Sequence, residues 1–134
     1  MLTSNSSAYR WLAVAALAGL LAVALDALGA HALGPSPDPA RLRLLELATR
    51  YQLVHAVALI GVAALQAGTE GRPSPWLRVS AWTLTLGIIF FCGGLTLRAL
   101  TSIEIAGPLV PVGGTAFVVG WAALLGHAVR TALR

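Results

Sequence analysis

The chain has 134 residues, 57% of them hydrophobic and 10% charged, against roughly 25% charged in an ordinary soluble domain. Five acids and nine bases cannot cover the surface a soluble protein of this size must expose, which argues against a soluble globular enzyme and for an integral membrane protein. The net charge of +4 comes entirely from arginine, and these arginines sit beside the ends of apolar runs, a placement that marks lipid headgroups and not a nucleic-acid surface.

Residues 1–10 read as a polar N-terminal tail. The first apolar run extends from Trp11 to Leu33, about the 20 residues that cross hydrocarbon. A cleavable signal peptide is the rival reading, with Arg10 as its basic region and Ala30-His31-Ala32 as the cleavage site. Asp26 speaks against it, because it interrupts the run where a cleavable segment is plain. Gly34-Pro35-Ser36-Pro37-Asp38-Pro39 then breaks any helix and makes the first loop.

The second run covers residues 44–65 and is preceded by an amphipathic stretch over residues 40–50. That stretch reads either as a collar at the membrane surface or as the start of one overlong, tilted helix. Glu46 and Arg50 stand at the i, i+4 spacing of a helical ion pair. Ala67 to Pro75 makes the second loop, Val79 to Leu100 the third run and Thr101 to Pro108 the third loop. The fourth run, Leu109 to Val129, opens on Pro111, tolerated in a first turn, and on the Gly113-Gly114 pair, which permits close helix approach. An anion held at that helix start is the functional alternative.

None of the four runs alternates strictly, so helices and not a barrel are expected. Short loops force antiparallel neighbours. The expected fold is an all-α membrane protein, an antiparallel four-transmembrane-helix bundle over residues 11–130 with a short tail at 131–134. The N-terminal side carries Arg10, Arg72, Arg78, Arg130 and Arg134, and the other side Arg41, Arg43, Arg50 and Arg98. That count favours cytoplasmic termini. The single Cys92 excludes an intramolecular disulfide and a cysteine-based zinc site.

Ionisable groups within apolar runs are functional candidates by default. Asp26 shares a small-residue stripe with Ala18, Ala22 and Ala30, beside Gly29, and is expected to face the bundle. Asp26, His31, Gln52, His55 and Arg98 all fall in the same half of the bundle. An internal pair of Asp26 with Arg98 or His55 is the leading reading. A proton-coupling role for Asp26 in a small oligomeric transporter is the alternative, although a polar half-bundle suits a cup better than a pore. Metal binding by His31, His55 and Asp26 lacks a ligand spacing such as H-x-x-x-H. His127 and the four tryptophans read as interface and packing residues.

Three stretches carry a resemblance. Leu28-Gly29-Ala30-His31-Ala32-Leu33, Tyr51-Gln52-Leu53-Val54-His55-Ala56, and Pro111-Val112-Gly113-Gly114 with Gly120-Trp121 resemble the G-A-F-G-A-H-G-L, Y-Q-x-x-H-A and P-x-G-G…G-W elements of one family. This is domain-of-unknown-function family 423, related to the eukaryotic transmembrane protein 256 group. The pattern departs at Asp26, where the family usually has a small residue, and at Leu28, where it has Phe. The resemblance implies four transmembrane helices, a bacterial plasma-membrane location and no established activity. The expectation is therefore a multi-pass membrane protein in the lipid bilayer, structural or accessory, not an enzyme. No cofactor or metal is expected, and a homo-oligomer or another membrane protein is the open partner class.

Overall fold

The computed structural model describes residues 6–69, 74–101 and 107–133. Four long helices follow one another: α1 (Ser6–Ala32), α2 (Pro39–Ala67), α3 (Pro75–Thr101) and α4 (Leu109–Ala132). Each is long and apolar enough to cross a membrane. No strand occurs among the described residues. The protein is an all-α, four-helix membrane protein. Arg72, Glu104 and Arg134 lie outside the described residues, as do residues 1–5.

Local chemistry explains the helix ends. Gly34, with φ +86°, follows α1 and donates its N–H to His31 O at 3.1 Å, a backbone geometry that glycine enters without steric cost. α2 opens on Asp38, whose Oδ1 accepts from Ala40 N at 2.9 Å, and on Pro39 at the first helical position. From there α2 runs unbroken for 29 residues, about 43 Å at the helical rise. The hydrocarbon core is roughly 30 Å thick, so the amphipathic opening and the apolar span are one helix, longer than the core is thick. α1 begins at Ser6, inside the stretch whose composition reads as tail.

The bundle consists of two helical hairpins, α1 with α2 and α3 with α4, joined chiefly where α2 packs on α3. α2 is the central helix. Its buried positions include Leu45, Ala48, Gln52, His55, Leu59, Val62 and Gln66, too broad a set for contact with one neighbour. Small residues line much of the interior, with Ala15, Ala48, Ala81 and Ala99 buried beside Leu59, Leu77 and Leu84, while Leu20 is 66% and Val118 is 69% exposed. Small residues inside and large aliphatics outside suit a solvent that is itself hydrocarbon. Cys92 is buried in this core.

α3 is not uniform. Residues Ile88–Cys92 form a π-turn within it, a local widening often found at functional sites. α4 comes closest there. A Cβ on Gly113 would collide with the Phe91 backbone nitrogen and lie 2.8 Å from Phe91 Cα. Farther along, a Cβ on Gly120 would sit 2.6 Å from Leu84 Cδ2. These two glycines let the backbones of α3 and α4 approach closely.

Candidate functional site

The polar residues of the half-bundle do not converge on one point; they divide into three places along α2. The first is the seam between α1 and α2. Gln52, 5% exposed, donates from Nε2 to Ala18 O at 2.9 Å. This ties α2 to a backbone carbonyl of α1 inside the membrane, where interhelical hydrogen bonds contribute about 0.6 kcal/mol and up to about 1.7.

Asp26 sits on the lip of that seam. The buried residues of α1 include Ala8, Ala15, Ala22 and Gly29, seven apart, with Ala18 between. This is the a/d stripe of a left-handed helix pair, and it places Asp26 at a flanking position. Asp26 is accordingly exposed, not turned into the bundle. Its Oδ1 lies 3.3 Å from Thr49 Oγ1, whose hydroxyl also reaches Glu46 O at 3.2 Å. Asp26, Glu46, Thr49 and Arg50 line a small groove of about 270 Å³ between α1 and α2.

Arg98 is not Asp26's partner. It is half-buried on the last turns of α3, and among the described residues it makes no ion pair with Asp26. The reason is the placement of the helices: α2 lies between α1 and the end of α3. His31 is exposed in the last turn of α1, and His55 is buried in α2. No group of three or more potential metal ligands occurs among the described residues. We expect Asp26→Ala and Arg98→Ala to add in stability within about 0.5 kcal/mol. Thermal melting of the two single variants and the double variant in micelles checks this.

The second place is the junction of α2 with the end of α3. Arg41 Nε donates to Ala99 O at 2.6 Å. A guanidinium there satisfies a carbonyl of the last turn and faces the negative end of the helix dipole. Composition alone reads Arg41 as a topology signal; the structure gives it a partner.

The third place is an aromatic node that joins α2 to α3 and α4. His55 is 5% exposed and its ring stacks on Phe117, with centroids 3.6 Å apart and planes inclined by 14°. Tyr51, one turn earlier on α2, lies 4.9 Å from Phe91, and Phe91 meets Phe117 edge-on at 5.7 Å. The hydrogen bonds of His55 determine its tautomer. Nδ1 is 2.6 Å from Tyr51 O, which can only accept, so Nδ1 carries the proton. Nε2 is then the acceptor, 3.2 Å from Trp121 Nε1. Both ring nitrogens of the neutral imidazole then have a hydrogen-bond partner.

Phe91 and Phe117 are the members of this node that a reading of polar residues misses. The available signals are the i, i+4 pairs Tyr51/His55 and Phe117/Trp121. Among the packing glycines, Gly113 faces Phe91 of the π-turn and Gly29 faces Leu45, with 2.5 Å from an added Cβ to Leu45 Cδ2. Gly114 is looser, at 3.7 Å from Phe91 Cδ2. Pro111 is exposed in the first turn of α4, where no intrahelical donor is lost. His127 Nδ1 lies 3.0 Å from Ser74 Oγ and fastens the start of α3 to the end of α4.

The family model for a protein of unknown function, DUF423, matches residues 25–114. The chain belongs to the DUF423 family. It is 38% identical over 110 residues to a UPF0382 membrane protein of Staphylococcus saprophyticus, covering 82% of this chain and 88% of that protein. It is 36% identical over 110 residues to a UPF0382 membrane protein of Staphylococcus aureus, covering 82% and 87%. It is 34% identical over 116 residues to the UPF0382 inner membrane protein YgdD of Escherichia coli K12, covering 87% and 86%. No solved structure matches it. The matched segment of this DUF423 protein holds Asp26, Gln52, His55, Phe91 and Gly113, and it ends before Phe117 and Trp121.

Proposed function

We propose that this DUF423 protein is a structural or accessory component of a bacterial plasma membrane, not an enzyme, with both termini on the cytoplasmic side. The observation that carries the reading is the engagement of His55 and Gln52 in bonds between helices, to Trp121 and Ala18 respectively. These side chains are used in holding α1, α2 and α4 together. The plasma-membrane location is supported by the similarity to an Escherichia coli protein named an inner membrane protein. The orientation is supported by the arginines, five on the N-terminal side against four on the other.

Two measurements test this. Elemental analysis of purified protein is expected to find no stoichiometric zinc, iron or copper; one metal per chain, lost on His55→Ala, would establish a metal site and contradict the reading. Reporter fusions after Arg134 and within residues 68–75 are expected to be active only for a cytoplasmic reporter. Activity of a periplasmic reporter at either point overturns the orientation.

A further inference from the structure

The end of the bundle opposite Asp26 brings two arginines to one cavity. Arg10 on α1 and Arg78 on α3 line one cavity of about 540 Å³, together with Trp11, Val14, Trp82 and Thr85. Among the described residues, no carboxylate lines it. Arg10 is the fifth residue of α1 and Arg78 the fourth of α3, so both stand in opening turns, where the helix dipole already disfavours a cation. Neither first turn contains an acidic residue. Two like charges share one cavity under these conditions at a cost that an anion between them removes.

The geometry points to a binding site for an anionic phospholipid, with its phosphate between Arg10 and Arg78 and an acyl chain running down the cavity between α1 and α3. Arg10 Nε donates to Ser6 O at 3.3 Å, which leaves the terminal guanidinium nitrogens for a phosphate. Guanidinium groups bind phosphate oxygens in pairs. Below the arginines, Trp11 and Trp82 meet edge-on, with centroids 5.1 Å apart and planes at 87°. Tryptophan prefers the membrane interface, next to the headgroups.

Deeper still, the wall is apolar. Val14 faces the cavity, and the Thr85 hydroxyl is turned back to Ala81 O at 2.8 Å. From Arg78 to Thr85 is seven residues of α3, about 10 Å along the axis. An acyl chain held there is covered over the upper part of its leaflet, about half of a roughly 30 Å hydrocarbon core. A free phosphate has no use for this wall, whereas a lipid uses both ends of the site. Basic clefts between transmembrane helices are known to take anionic headgroups.

The test is native mass spectrometry of the full chain released from micelles that contain phosphatidylglycerol and phosphatidylcholine in equal amounts. The chain is expected to retain phosphatidylglycerol in preference. Arg10→Gln and Arg78→Gln should each reduce that preference about fivefold, and the double variant should abolish it. Arg43→Gln, an exposed arginine at the other membrane surface, should leave it unchanged. Thr85→Phe, which fills the apolar wall with both arginines intact, should reduce retention, and excess inorganic phosphate should not displace the lipid. A preference that survives the double arginine variant overturns the site. So does an equal loss in Arg43→Gln, or displacement by inorganic phosphate.

Discussion

Gly113→Val is expected to be the most damaging single substitution in the chain. Helix α4 lies so close to the π-turn of α3 that any Cβ at position 113 meets Phe91 N, with Phe91 Cβ at 2.7 Å and Cα at 2.8 Å. Two of these three atoms are backbone, so no rotamer change relieves the clash. The helices must separate, and their separation also opens the stack of Phe117 on His55. We expect a loss at or above the top of the roughly 1–3 kcal/mol range of overpacking. Gly61→Ala is the control, because no atom lies within 4 Å of a Cβ built there. It should be neutral or stabilising by up to about 1 kcal/mol, the helix propensity gained. Melting temperatures of the two variants in micelles check the contrast.

The second large effect is expected at His55. His55→Ala removes a ring stacked on Phe117 and leaves the Trp121 N–H without its acceptor. A cavity and an orphaned donor together should cost about 2–4 kcal/mol. His55→Phe keeps the stack and loses only the hydrogen bonds, so its cost should be smaller, about 1–3 kcal/mol. Combined with Trp121→Phe, His55→Phe should be less damaging than the sum, with a coupling of about 0.6–1.7 kcal/mol. Chemical denaturation in mixed micelles measures all three variants.

The spans were legible because a bilayer fixes helix length and the loops carry Pro and Gly. Gly34-Pro35 and Pro73-Ser74-Pro75 leave little freedom in where helices stop. The rotation of each helix about its axis was harder to read. In a soluble helix the polar face shows which side is inside, but from Trp11 to Leu25 α1 is apolar all round. Its orientation is recorded only in the seven-residue spacing of Ala8, Ala15, Ala22 and Gly29. Following the four-residue stripe through Ala18, Ala22 and Ala30 instead brings Asp26 to the interior, whereas the seven-residue stripe leaves it at the flank.

The same ambiguity conceals the aromatic node. Tyr51 and His55 share a face of α2, and Phe117 and Trp121 share a face of α4. That the two faces meet depends on the close approach at Gly113. The π-turn at Ile88–Cys92 contains no proline to announce it. Asp26 and Arg98 do not meet in the structure for a topological reason: equal depth in the membrane brings two residues together only when their helices are neighbours, and α2 intervenes. The packing glycines were legible because small residues have few uses at a helix interface besides close approach.

We propose that His55 acts as a neutral bridge between α2 and α4. Long-range proton–nitrogen NMR of histidine-labelled protein in micelles at neutral pH reads this directly. His55 is expected as the tautomer protonated on Nδ1, with Nε2 accepting from Trp121, and its signals should be the same before and after treatment with a chelator. A His55 protonated on Nε2, or one whose Nε2 signal shifts when metal is removed, would contradict this bridging role.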